Sequence, residues 1–307
     1  MNNLTLRQLR YFEALAQHGH FGRAAEACAV SQPALSLQIR DLEDSLGASL
    51  FERSSRQVRL TRFGEDFSLR VRDILRAVDE LGDLARASQG WLSGRLRIGI
   101  IPTVAPYLLP AIVGSLNRLY PGLDIHVRET LTAKLLRELS EGRLDAAIVA
   151  LPISEAAFTE VPIFAEEFLL VRPSDEAGKP VPSIDMLKEM RLLLLEEGHC
   201  FRDQALAFCN MASSLPREVL EGSSLSTLVQ MVGAGIGVTF IPEMAVPVET
   251  RSAAVSMSRF ADPQPRRTIG MIWRRTSPLA GQLQHIADIV RQAADGLRSP
   301  AAPLQPA

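Results

Sequence analysis

The chain has 307 residues, of which 47% are hydrophobic and 22% charged, and its formal net charge is −2. That length allows two or more domains with sizeable cores. The near-neutral charge excludes a general affinity for polyanions, so nucleic-acid binding would require a local basic patch. We expect neither a signal peptide nor a membrane span, because no apolar run of about 20 residues occurs. Three cysteines are too few for a disulfide framework, which favours a reducing cytoplasmic compartment.

Three short helices are predicted at the start of the chain. Apolar residues spaced by three and four predict the first over 6–18, and small residues that allow close packing mark a second over 23–28. The third covers 30–43, with Ser31 as its N-cap and Pro33 in its first turn. A two-stranded segment rich in arginine follows over 50–60.

This order of elements is typical of a winged helix-turn-helix, in which the third helix presents its N-terminal residues to the DNA major groove. Wing arginines form the local positive patch that phosphates require. The expected DNA contacts are Ser31, Gln32, Ala34, Ser36, Gln38 and Arg40 on the third helix, and Arg53 and Arg56 on the wing. The alternative interpretation of the wing is a solvated hairpin.

The spacing of apolar residues over 61–87 predicts one long amphipathic helix. One face of it is an apolar stripe, and its other positions are strongly charged. Such a helix needs a partner, and pairing with a second copy of itself is the natural one. Residues 89–94 break the pattern and are typical of a linker. We therefore expect a DNA-binding domain over 1–62 and a linker helix with a hinge over 63–94.

From residue 95 the pattern becomes α/β. Strands are predicted at 96–101, 125–129, 145–150, 168–171, 192–195, 238–241 and 268–273, with helices at 107–119, 132–140, 225–232 and 279–293. The strand–helix–strand repeats imply a mainly parallel sheet. We therefore predict two α/β lobes over 95–298, joined by crossing segments that act as a hinge, with a small binding site between the lobes. A disordered tail is expected over 299–307.

The stretch 198–209 holds two of the three cysteines. Cys200 follows His199 and precedes Arg202, and a cationic neighbourhood favours the reactive thiolate over the thiol. The residues between Cys200 and Cys209 favour a helix, in which nine residues advance about 13.5 Å. A disulfide needs Cα atoms about 4.4–6.8 Å apart. A bond between these two cysteines would therefore require the helix to unwind. Such a disulfide would act as a conformational switch and not as a structural crosslink.

Other interpretations of the cysteines remain open at this point. Both can be ordinary buried residues, since no Cys-x-x-Cys redox motif is present. A metal site built from His199, Cys200 and Cys209 is disfavoured, because adjacent residues rarely bind one ion and no second cluster supplies ligands. Cys28, in the second helix, is expected to be a packing residue.

Several segments carry a resemblance to a known family. They are Phe21-Gly22-Arg23-Ala24-Ala25, Val30-Ser31-Gln32-Pro33-Ala34-Leu35-Ser36, Leu42-Glu43, Leu46-Gly47 and Leu50-Phe51-Glu52-Arg53. The chain resembles the LysR-type transcriptional regulators over essentially its full length. Within that family, the stretch 197–204 together with Cys209 resembles the corresponding stretch of the members that sense hydrogen peroxide.

The resemblance implies a winged helix-turn-helix, a linker helix and a two-lobed regulatory domain like that of periplasmic binding proteins. It also implies that Cys200 is oxidised by peroxide to a sulfenic acid, which condenses with Cys209. The peroxide pocket would comprise Thr103, Thr132, His199 and Arg267, with Arg266 as the alternative to Arg267. Hydroxyls would orient the peroxide, and cations would stabilise the thiolate and the departing hydroxide.

The resulting hypothesis is a DNA-binding regulator of the oxidative-stress response with a reversible Cys200–Cys209 disulfide, and not an enzyme. The resemblance implies promoter DNA and RNA polymerase as partners, a reductant of the glutaredoxin or thioredoxin type, and a homodimer or homotetramer. It implies neither a cofactor nor a metal. Two competing hypotheses are a regulator triggered by a small organic effector between the lobes, and a thiol peroxidase.

Overall fold

The computed structural model describes residues 4–53, 58–88, 93–209 and 219–298. The chain divides into two compact units, Met1–Ala85 and Arg86–Ala307. Arg56, the side chain of Arg53, most of the expected linker and the expected tail lie outside the described part. No helix in the described ranges is both long and apolar enough to cross a membrane.

The first unit contains the three helices and the wing that the sequence predicts. Its elements are α1 (Leu6–His18), α2 (Phe21–Ala27), α3 (Gln32–Leu46), β1 (Phe51–Arg53), β2 (Val58–Leu60) and α4 (Arg62–Ser88), the last of which ends just beyond the unit boundary. The N-cap of α3 is Ser31, whose Oγ accepts the Ala34 N–H at 3.4 Å. Gly19 ends α1 in the left-handed conformation, at a φ of 58°. The winged helix-turn-helix is confirmed.

One apolar core fixes the position of α3. Leu35, Ile39 and Leu42 are fully buried, and Phe12 of α1 packs against Phe51 of the wing at a ring distance of 5.3 Å. The carboxylate of Glu43 accepts backbone N–H groups of the wing, from Leu50 at 2.7 Å and from Phe51 at 3.1 Å. These contacts hold α3 and the wing together and leave the opposite side of α3 exposed.

The long helix α4 has two different halves. Its first turns pack on the unit's core through residues such as Val71, which is 1% exposed. Further along, Ile74, Leu81 and Leu84 are exposed, by 46%, 64% and 54%. The amphipathic helix is confirmed, and its second half presents an apolar stripe to the surface of this single chain.

The second unit is α/β. Its strands are β3 (Gly94–Ile100), β4 (Leu123–Glu129), β5 (Ala146–Leu151), β6 (Phe158–Pro173), β7 (Leu192–Leu195), β8 (Val219–Gly222), β9 (Thr239–Pro242), β10 (Val255–Ser258) and β11 (Arg266–Arg274). Its helices are α5 (Ala105–Leu119), α6 (Thr132–Ser140), α7 (Ile184–Glu189), α8 (Cys200–Phe208), α9 (Leu225–Gly233), α10 (Val246–Glu249) and α11 (Ala280–Arg298), with 3₁₀ turns at Ser174–Glu176 and Glu243–Ala245.

The prediction of a mainly parallel sheet is wrong. The large sheet has the order β10-β6-β11-β5-β3-β4, with β9 also paired to β6. Within this sheet, β3 pairs in parallel with β4 and β5, whereas β11 is antiparallel to β5 and to β6. A separate two-stranded sheet, β7 with β8, is parallel. Because β11 returns from the second lobe, it enters the sheet from the end at which β5 leaves it. Its direction is therefore reversed.

Two hydrophobic cores define the two lobes. The first is built on β3, β5 and α11, and the second on β7, α8 and α9. The strand β6 passes through both, with Phe164 in the first core and Phe168 and Leu170 in the second. The two-lobed architecture is confirmed, and the chain crosses between the lobes along the two central strands β6 and β11.

Candidate functional site

A small pocket lies where the two lobes meet. The carboxyl end of β3, the start of α6 and the start of α8 form its wall, and it contains about 170 Å³ of empty space. Its lining residues are Ile101, Pro102, Thr103, Leu131, Thr132, Gly198, His199 and Cys200. Three of the four expected peroxide-pocket residues and the first expected redox cysteine are thus brought together.

Cys200 is the first residue of α8, with His199 as the N-cap. Its half-buried side chain packs against the core of the first lobe, whereas Phe201 and Leu206 of the same helix belong to the second core. The exposed N–H groups at a helix N-terminus carry partial positive charge and stabilise an adjacent anion. The fold therefore gives this sulfur both an electropositive helix end and an open pocket.

The fourth expected pocket residue, Arg267, lies behind the pocket wall and is 3% exposed. Its Nε donates to Glu166 at 2.8 Å, forming an ion pair that is buried on both sides. Its other nitrogens donate to Thr103, at 2.8 Å to Oγ1 and at 3.1 Å to the backbone oxygen. The neighbouring Arg266 is exposed, so the structure brings Arg267 and not Arg266 to the site.

Two threonine hydroxyls supply hydrogen-bonding capacity to the pocket. Thr103 Oγ1 accepts a hydrogen bond from Arg267, which leaves its own proton available for another acceptor. Thr132 Oγ1 is buried and has no hydrogen-bond partner among the described residues. A buried hydroxyl without a partner costs free energy, and a small polar ligand in the pocket would remove that cost.

His199 was expected to be a cationic neighbour of Cys200, but its surroundings favour the neutral imidazole. Burial lowers the pKa of this histidine below its ordinary value, and the opposing effect of Glu196 is smaller. The imidazole is therefore neutral near pH 7. In that form one ring nitrogen can accept a proton and the other can donate one.

Arg202 also differs from the expectation. Its Nη1 donates to the backbone oxygen of Leu195 at 2.8 Å and to Glu221 at 2.6 Å, so the guanidinium is directed into the second lobe. The cationic neighbourhood predicted from sequence proximity thus comes from the helix terminus, not from Arg202. A side chain two residues along a helix points to another face, which explains the difference.

Cys209 lies at the opposite end of α8, as its C-cap. The residue is 0% exposed within the second core, and burial raises the pKa of its thiol to about 11. All three cysteines are unpaired thiols, and the intact helix separates Cys200 from Cys209 by about 13.5 Å along its axis. The structure therefore describes a reduced form in which the two sulfurs cannot bond.

Sequence reasoning missed a buried polar network next to the site. Tyr107 donates to Glu249 at 2.6 Å, and Ser226 donates to the other carboxylate oxygen at 2.6 Å. Burial raises the pKa of Tyr107, and its hydrogen bond to Glu249 adds to the effect. Glu166 was missed as well, because β6 also carries Glu160 and Glu167 and nothing in its sequence singles out Glu166. Glu166 meets Arg267 across the β6–β11 pair, and Glu249 meets Tyr107 over a separation of 142 residues.

The expected DNA contacts on α3 lie at or near the surface. Ser31, Gln32, Ala34 and Arg40 are exposed, and Ser36 and Gln38 are half-buried. Between the last two, Leu37 is 54% exposed and was not among the expected contacts. The described residues contain no group of three or more His, Cys, Asp or Glu side chains that could hold a metal ion.

Comparison with known proteins agrees with this architecture. Residues 6–65 match the family model described as a bacterial regulatory helix-turn-helix protein of the lysR family, and residues 89–295 match the LysR substrate binding domain. The chain belongs to the LysR family. The two matched segments lie one in each compact unit of the LysR-type chain.

Within the LysR family the chain closely resembles OxyR. It is 44% identical to the DNA-binding transcriptional dual regulator OxyR of Escherichia coli over 95% of this chain and 97% of that protein. A full-length OxyR from Pseudomonas aeruginosa with a cysteine-to-aspartate substitution has a TM-score of 0.75 and 38% identity, covering 94% of this chain and 95% of that one. A cysteine-to-serine OxyR from Corynebacterium glutamicum with bound H₂O₂ has a TM-score of 0.66 and 36% identity, covering 95% and 93%.

Proposed function

We propose that this LysR-type protein is a DNA-binding transcriptional regulator that senses hydrogen peroxide through Cys200. The observation that carries the proposal is the placement of Cys200 in a small pocket that also holds Thr132, whose buried hydroxyl has no hydrogen-bond partner in the described part of the chain. The names of the OxyR relatives and the peroxide in one related structure support it.

The chemistry follows from the groups around the pocket. The Cys200 thiolate attacks one peroxide oxygen, the O–O bond breaks, and a sulfenic acid and a hydroxide form. Thr103 and Thr132 donate hydrogen bonds that orient the peroxide. Neutral His199 accepts the proton of the Cys200 thiol and then returns it to the departing hydroxide, so that water leaves. Arg267 acts through Thr103, whose hydroxyl it holds in place.

The second step couples this chemistry to the fold. The sulfenic acid condenses with the Cys209 thiol, which forms the disulfide and releases water. Because Cys209 lies in the second core at the far end of α8, bond formation must unwind α8 and remove Cys209 from its apolar surroundings. The repacked lobe then changes how the regulatory domains associate. Two thiols of a reductant restore the original state.

The lining of the pocket favours peroxide over an organic effector. The polar groups at Cys200 are two threonine hydroxyls and one imidazole. A two-oxygen ligand with hydrogen-bonding capacity at both ends suits a site lined by two threonines and one histidine. The LysR-type effector hypothesis is therefore the weaker one.

We assign promoter contacts to the α3 residues named above and to the wing arginines Arg53 and Arg56, on the basis of the confirmed winged helix-turn-helix. The exposed stripe on α4 supports a homodimer, and further association into a tetramer is proposed from the OxyR resemblance. We further propose that RNA polymerase and a glutaredoxin- or thioredoxin-type reductant are partners. A disulfide that must be reversible requires a reducing compartment, which supports the cytoplasm.

The test is mass spectrometry of the thiol-blocked full-length protein before and after stoichiometric hydrogen peroxide. We expect a new Cys200–Cys209 linkage that a dithiol reverses and that Cys200→Ser abolishes. The matched control is Cys28→Ser, which removes the cysteine of the first unit and should leave the linkage intact.

Footprinting of the same samples on promoter DNA then tests the coupling. Oxidation should change the protected region in the unmodified protein and not in Cys200→Ser. Thiols that stay reduced at this dose of peroxide would refute peroxide sensing and make an effector screen the next step.

A further inference from the structure

The helix α3 carries a large apolar side chain on its outer surface. Leu35, Ile39 and Leu42 face the core of the first unit. At about 100° per residue, Leu37 projects roughly 170° away from the centre of that buried face. Its 54% exposure agrees with this direction. Leu37 therefore points straight out from the face of α3 that the winged helix-turn-helix presents to DNA.

Exposed leucines also occur elsewhere in the first unit, but in a different setting. Leu81 and Leu84 belong to the stripe of α4 that supports the homodimer. Leu37 has polar neighbours: Arg40 donates to Ser36 at 3.4 Å, and Gln38 donates to Asp41 at 3.3 Å. Leu37 is the large apolar side chain on the outer face of α3, and the smaller exposed residues Pro33 and Ala34 lie one turn before it.

The polar neighbours of Leu37 hydrogen-bond to one another and not to Leu37, which is left as the apolar contact group of this part of α3. A single exposed apolar residue on an ordinary surface needs no explanation. On a surface that meets DNA, however, the apolar character of Leu37 limits which chemical group of the DNA it can contact favourably.

The chemistry of the major groove limits that choice. Base edges there offer hydrogen-bond donors and acceptors, together with one apolar group, the C5-methyl of thymine. A leucine side chain neither donates nor accepts hydrogen bonds, so opposite any other base edge it would desolvate a polar group without compensation. The thymine methyl is the group against which it gains free energy.

We infer that Leu37 reads a thymine in the target DNA through apolar contact with its C5-methyl group. The inference rests on the proposed DNA-binding function and adds a specificity-determining residue to it. The surrounding polar residues position α3, and Leu37 makes one base pair of the site prefer thymine.

The experiment replaces the thymine methyl without changing any hydrogen bond. Duplexes that bind the full-length protein are selected from a randomised library, and each thymine in turn is replaced by deoxyuridine, which lacks only the methyl group. The affinity of each duplex is measured for the unmodified protein, for Leu37→Met and for Leu37→Gln. All three residues favour helices and are of similar length, so an exposed position tolerates each of them.

We expect one deoxyuridine position to weaken binding of the unmodified protein and of Leu37→Met about fourfold, the effect of losing one buried methyl contact. Leu37→Gln should bind the two duplexes equally and should accept other bases at that position in a fresh selection. If every thymine is insensitive, or if Leu37→Gln loses as much affinity as the unmodified protein, the inference is overturned while DNA binding stands. If the library yields no enriched sequence, the proposed function fails, and the inference fails with it.

Discussion

The two ends of α8 place the same functional group in opposite environments. At the first end, Cys200 is half-buried in a pocket lined by hydroxyls, at a helix terminus that stabilises negative charge. At the other end, Cys209 is 0% exposed in an apolar core that raises the pKa of its thiol to about 11. In the proposed mechanism, Cys200 reacts with a small polar oxidant, and Cys209 stays buried until the helix opens. The two ends of α8 would then carry the sensing step and the structural response.

The largest expected effect comes from removing one cysteine at a time. In Cys209→Ser, peroxide should still oxidise Cys200, and the sulfenic acid should persist because its partner is missing. In Cys200→Ser, no sulfenic acid should form at all. Trapping with a dimedone-type reagent followed by mass spectrometry measures both. Equal labelling of the two variants would show that the two ends of α8 do not differ in reactivity.

The buried ion pair behind Cys200 should contribute strongly to stability. Arg267→Met leaves the Glu166 carboxylate buried without its cation, and breaking a buried pair in this way costs about 3–5 kcal/mol. Urea unfolding of the reduced protein measures the free energy of unfolding. Arg266→Met is the matched control, because that adjacent arginine is exposed. Similar losses in both variants would contradict the structural role of the pair.

The buried end of α8 should make stability depend on pH. Cys209 has an ordinary pKa of 9.0 and a folded pKa of about 11. Below pH 9 both states keep the proton, and between these values only the unfolded state loses it, so stability falls as pH rises. The loss is about 2–3 kcal/mol.

The measurement is the free energy of unfolding at several pH values for the unmodified protein and for Cys209→Ala. Other groups titrate in this range, so the relevant quantity is the difference between the two proteins. That difference should shrink as pH increases from 8 to 11. A constant difference would mean that the Cys209 thiol titrates alike in the folded and unfolded states.

The smallest expected effect tests the pocket end. Thr132→Val removes the partnerless hydroxyl while keeping the shape of the side chain. Stability should rise by about 1 kcal/mol, because a buried hydroxyl without a partner among the described residues is removed. The rate of Cys200 oxidation should fall about fivefold to tenfold for one missing contact to peroxide. Stopped-flow measurement of thiol loss provides the rate, with Thr130→Val as the control. An unchanged rate would remove Thr132 from the peroxide site.

The local features of this protein could be predicted from its sequence. The Ser31 cap, the helix over 6–18 and the pairing of the wing depend on residues close together in the chain, and the structure has them where the pattern places them. The position of Cys200 and Cys209 at opposite ends of one helix also follows from spacing and helix propensity. The family assignment depends on the same local motifs.

Only the tertiary structure decided which distant groups meet. Arg267 and Thr103 lie 164 residues apart in sequence, and nothing in their local patterns distinguishes Arg267 from Arg266. The reversed direction of β11, the Glu166 ion pair and the orientation of Arg202 likewise depend on how the chain returns between the lobes. Helix and turn preferences are short-range, whereas burial and ion pairing depend on which surfaces the whole chain brings together. The sequence by itself determined the local elements, such as the helix that separates Cys200 from Cys209. The packing of the two lobes determined which side chains surround each cysteine.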